Sequence, residues 1–151
     1  MKQIVPVLLA ALMFSIAPAQ AKPTEDAKNR ESLTKIVPAG NIVRQDGHEY
    51  KLTTSKNTLM EVEFNRDGSI DEASGDAAGA GDVLVPGEGR KTLEEVVKSL
   101  NVAGKKPSGD WSFKKSFIHG WIYEVEGFEG GKKMEYLVSA KDGSLIKEKQ
   151  D

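Results

Sequence analysis

Thr92-Leu-Glu-Glu-Val-Val-Lys-Ser-Leu100 is the stretch that decides the fold class. Thr92 and Glu95 have the spacing of a capping box, in which a hydroxyl and a carboxylate take up amides that the first helical turn leaves without partners. Leu93, Val96, Val97 and Leu100 follow at i, i+3, i+4 and i+7 and form one apolar face. Gly104 and Pro107 end the helix. A helix that is apolar on one side needs a second layer to cover, and the flanking sequence supplies strands.

After it come strand-like segments at 111–117, 121–126, 134–140 and 144–147, with turns at His119-Gly120, in a 127–133 loop and at Asp142-Gly143. Before it a helix is expected over 25–37, with Leu33, Ile36 and Val37 on one face and Pro38 and Gly40 as stops. Strands are expected at 42–44 and 49–53 around Asp46-Gly47, and at 59–64, where Met60, Val62 and Phe64 alternate with polar residues. Asp67-Gly68 turns into a strand over 69–73. The 75–89 stretch is rich in glycine and small residues and reads as a linker, with Val83-Leu84-Val85 apolar enough to tuck against a core.

The two halves echo each other. Leu33, Ile36 and Val37 answer Leu93, Val96 and Val97 at an offset of 60; Asp46-Gly47 and Tyr50 answer His119-Gly120 and Tyr123 at 73. Asp67-Gly68-Ser69-Ile70 answers Asp142-Gly143-Ser144-Leu145 at 75, as in a diverged duplication. The expected fold is therefore α+β: two repeated units of one helix plus antiparallel strands, helices packed on sheet. The expected division is 22–74 for a degenerate first unit, 75–90 for the linker and 91–151 for the second unit.

Trp-Ile-Tyr-Glu-Val-Glu-Gly at 121–127, followed by Met-Glu-Tyr-Leu-Val-Ser-Ala-Lys-Asp-Gly-Ser-Leu at 134–145, resembles the signature of PepSY domains, and 92–100 fits that family's helix. Ser139 departs from the pattern, where an Asp often stands. The resemblance implies a small α+β unit outside the membrane, often tied to restraint or regulation of peptidases, and it carries over no catalytic residue.

The first 21 residues read as a cleaved export signal. Lys2 is the basic start, 4–17 is mostly apolar, and Ala19-Gln20-Ala21 places small residues where a signal peptidase cuts, after Ala21. The apolar run is shorter than the roughly 20 residues of a membrane span, and no later segment is apolar enough for one. With no cysteine there is no lipid anchor through a lipoprotein cysteine, no disulfide and no thiolate metal site. The expected location is the periplasm, with secretion as the alternative. The formal net charge of −2 gives no basic stripe for nucleic acid.

Chemistry-bearing patterns are thin. Glu63, Asn65, Asp67 and Asp71 imitate part of a calcium loop, but Ser74 stands where a bidentate Glu belongs, so the stretch reads as a hairpin turn. A weak metal site near Asp67 is left open. Gly87 to Thr92 fails as a phosphate loop because Arg90 separates glycine from lysine. His48 and His119 both sit beside turn glycines, with no nucleophile and orienting group spaced around them. No catalytic residue, metal or cofactor is expected.

Seven of the ten aromatic residues fall within 111–136. The alternation of Trp111 and Phe113, with Phe117, points to one core-facing side. Trp121, Tyr123 and Phe128 are the candidate partner-binding residues, Trp121 and Phe128 because they border turns. A strand edge that accepts a peptide is a second route to binding. The expected function is an exported, non-enzymatic module that binds protein or peptide, most concretely a peptidase that it restrains. The alternatives are an envelope accessory or assembly factor and a ligand- or metal-sensing module.

Overall fold

A computed structural model describes residues 24–151; the expected signal segment, 1–21, lies outside the described residues. α1 (Glu25–Ile36) starts where the Thr24 hydroxyl accepts the Ala27 amide at 3.1 Å, and it buries Leu33 against the sheet. Four strands follow: β1 (Asn41–Asp46), β2 (Glu49–Thr53), β3 (Leu59–Phe64) and β4 (Ile70–Gly75). α2 (Leu93–Val102) carries the capping box in full: the Thr92 amide donates to Glu95 Oε2 at 2.8 Å and the Glu95 amide to Thr92 Oγ1 at 3.1 Å. Its four periodic apolar residues are all buried. β5 (Pro107–Ser116), β6 (Gly120–Glu129), β7 (Lys132–Ser139) and β8 (Leu145–Gln150) complete the chain.

The strands form one antiparallel sheet in the order β1 to β8. This corrects the expected fold class of two repeated helix-plus-strand units. The deciding seam is between β4 and β5, where Glu72, Ala73, Ser74 and Gly75 pair with Lys114, Phe113, Ser112 and Trp111. A single core cluster therefore runs through both halves, joining Leu33, Tyr50 and Met60 to Val96, Phe113 and Tyr136.

The glycine-rich 75–89 stretch is stitched down over that seam. Buried Asp82 accepts from Thr58 Oγ1, from the Ala77 amide at 3.0 Å and from Trp111 Nε1 at 2.7 Å. The Ala78 amide donates to the Gly109 carbonyl and the Val85 amide to the Ile36 carbonyl. A Cβ on Gly75 would collide with the Asp82 carboxylate and the Trp111 indole, so the small residue serves close approach.

Alternation sorts the two faces. Tyr50 and Leu52, Met60 and Val62, and Tyr123 and Val125 are buried toward the helices, while Lys51, Glu61 and Glu124 point away. Two strand expectations shift. The 127–133 loop is in fact strand on both sides of a two-residue Gly130-Gly131 turn, both glycines at positive φ as such hairpins require. β5 ends at Ser116, which leaves Phe117 in the turn and not in the core.

Candidate functional site

The sheet is a meander, so the β1–β2, β3–β4, β5–β6 and β7–β8 turns all lie at one end of it. Three of these are polar turns. Asp67 accepts the Ser69 amide at 2.9 Å, and Asp142 accepts the Ser144 amide at 3.0 Å, each followed by a glycine at positive φ. The serine hydroxyls donate to the same carboxylates and, with the amides, hold both acids below their ordinary range. The β1–β2 turn is Gly47-His48.

The fourth turn is different. Between the paired residues Ser116 and Gly120 the chain places Phe117, Ile118 and His119. The Ser116 hydroxyl oxygen accepts the amides of Ile118 at 3.3 Å and His119 at 3.2 Å, and Gly120 takes φ +72°. Serine and glycine thus build the turn, and neither Phe117 nor Ile118 contributes a side-chain bond to it. Phe117 is 105% exposed and Ile118 82% exposed. Two adjacent large apolar side chains stand in water on a fixed support.

At the base of this tip lies Trp121, directly opposite Lys115. Its ring is partly buried and stacked on Phe113, with centroids 4.7 Å apart, and the Arg90 guanidinium covers it at 4.3 Å from the centroid. Arg90 also donates to the Pro86 carbonyl at 3.4 Å. Aromatic and arginine side chains of this kind are the ones that carry most energy in protein interfaces.

The expected site residues therefore separate. Trp121 belongs with the tip. Tyr123 does not face a partner: it is fully buried, its hydroxyl donates to the Lys91 carbonyl at 2.7 Å, and burial pushes its ionisation far up. Phe128 is 48% exposed but sits on the open face at the far end of β6, roughly 26 Å from the tip at about 3.3 Å per residue. Phe117, expected in the core, and Ile118, not singled out at all, are the residues that sequence reasoning missed. The available signal was their adjacency: two consecutive strand residues cannot both face one core.

No family model matches the chain, and no curated protein is significantly similar to it. Among solved structures it is similar to a DUF2874 family protein from Bacteroides uniformis, at 14% identity over 82% of this chain and 88% of that one, with a TM-score of 0.39. It is likewise similar to a BLIP-like protein from Bacteroides fragilis, at 17% identity over 87% of this chain and 89% of that one, with a TM-score of 0.38. The PepSY resemblance is corrected: no family model supports it, and the strands make one continuous sheet, not two helix-plus-strand units. The short Tyr-x-Val and Asp-Gly patterns that carried it are generic to antiparallel hairpins. Peptidase restraint was implied only by that resemblance and is left without support.

Other expected sites resolve simply. Around Asp67 the carboxylate is occupied by Ser69, and among the described residues no group of three or more His, Asp or Glu is placed to hold a metal. His48 faces Glu25 at 3.7 Å, and Thr92 caps α2. Both edge strands are blunted against peptide addition: β1 carries a bulge between Ile42 and Arg44, and the β7–β8 register shifts at Leu137 and Val138. β8 adds the charged run Lys147-Glu148-Lys149. No helix among the described residues is long and apolar enough to cross a membrane.

Proposed function

We propose that this chain is an exported, non-enzymatic protein-binding module whose β5–β6 tip inserts into an apolar pocket of its partner. One observation carries this reading: Phe117 and Ile118 are exposed at 105% and 82% on a turn whose geometry does not need them. Holding them on a Ser116-braced turn lowers the ordering cost of binding, and a well-placed apolar anchor contributes about 2 kcal/mol or more. Trp121 and Arg90 form the shoulder of the contact, and the blunted sheet edges favour tip insertion over strand addition. Export rests on the segment 1–21, and a periplasmic partner, such as another envelope protein, follows from it.

The test is comparative affinity purification from an envelope fraction. Wild-type protein is expected to retain a partner that the Phe117→Ser/Ile118→Ser double variant loses. Equal retention by both would place the contact elsewhere.

A further inference from the structure

The end of the sheet opposite the tip carries an open groove of about 680 Å³, within the range of small-molecule sites. α2 forms one wall; the β2–β3 turn and the 79–83 stretch form the other. Its apolar lining comes from Val83, Val97 and Val102. Val102 is 83% exposed and Val83 36% exposed, while Val97 is buried at the base of the groove. Asp82 reaches the groove, but both its carboxylate oxygens are engaged, by Thr58 on one and by Ala77 and Trp111 on the other. Two exposed cations stand on opposite walls, Lys56 and Lys98, and among the described residues neither lies within ion-pair distance of a carboxylate. Glu94 is the one exposed acid on the same rim.

We propose that this groove binds an amphipathic carboxylate of the medium-chain acyl class. The apolar tail lies on Val83, Val97 and Val102, and the carboxylate is held by Lys56 and Lys98. Gly79 packs close to Val97, and Gly81 close to Thr58 and Lys56, so the small residues hold the 79–83 stretch near α2 and the β2–β3 turn. This site is independent of the tip and of whether the chain binds a protein.

Decanoate and decyltrimethylammonium, each below its micelle concentration, are titrated separately into the isotope-labelled mature protein. Amide shifts are followed by NMR for wild type, Lys98→Glu, Lys56→Glu and Val102→Asp. All three positions are exposed, and an unchanged melting temperature shows that each variant folds. Decanoate is expected to move the amides of Gly79, Gly81, Val83 and Val102, with either lysine reversal weakening it about tenfold, as loss of a charged hydrogen bond would. Absence of binding, equal or tighter binding of the cationic probe, or shifts insensitive to all three variants would overturn the assignment.

Discussion

Trp111 donates its indole N–H to the Asp82 carboxylate at 2.7 Å across 29 residues of sequence, with both side chains buried. That bond clamps the glycine-rich stretch onto β5 at the seam that makes one sheet of eight strands. Asp82→Ala would leave the Ala77 amide and the Trp111 indole without their acceptor, at a cost of about 2–4 kcal/mol. Gly75→Ala is expected to destabilise as well, because its Cβ meets both partners. Urea unfolding followed by tryptophan fluorescence and far-UV circular dichroism should give one coincident transition, shifted lower in both variants. Two separate transitions in the wild type would mean that the halves fold independently.

Alkaline pH provides a second check. Tyr50, Tyr123 and Tyr136 are the only tyrosines, and each is 0% exposed. Burial is the leading cause that raises all three above the ordinary 10.0, with the Tyr50–Asp26 hydrogen bond adding to it at Tyr50. A group whose folded pKa is raised contributes stability that is complete below its unfolded value and is lost as pH climbs through the folded one. Tyrosinate absorbance should therefore rise at higher pH than for a free phenol and together with loss of circular dichroism. A separate phenol titration in folded protein, centred near 10, would contradict the burial.

On the open face Glu49 stands directly opposite Glu63, and Glu63 is bracketed on its other side by Glu72. Like charges in direct cross-strand register repel, so Glu63→Gln is expected to stabilise by about 0.2–1 kcal/mol. Salt should shrink that gain, because these side chains are solvent-facing. Denaturation midpoints of wild type and variant at low and high ionic strength measure both effects.

Phe117→Ser/Ile118→Ser should leave folding stability within about 0.5 kcal/mol, since surface changes away from packing contacts seldom do more. A large loss in thermal melting would show that the tip packs against its own chain and is not held out for a partner.

The legible part of this fold is the local part. α2 was readable because its capping box and its apolar face are encoded within nine residues, and the Asp-Gly turns because the positive φ they need selects glycine. The joining of the halves was not readable. Gly75 and Trp111 are neighbours only through strand pairing, and 75–89 has the composition of a flexible linker although Asp82 anchors it. The candidate site was half visible. Trp121 borders the turn but is partly buried against Phe113, not exposed, and alternation carried Phe117 into the core because the register stops at Ser116. A one-residue difference in where a strand ends turns a core aromatic into an exposed one.

The central claim, that the β5–β6 tip is the partner-binding element, is tested most directly by site-specific photo-crosslinking in the cell envelope. A photoreactive phenylalanine analogue is placed at position 117, and in a control chain at position 67 on the polar β3–β4 turn of the same end. Capture of a discrete protein adduct from 117 and none from 67 is the predicted result. Adducts of equal yield from both positions, or none from 117, would contradict it.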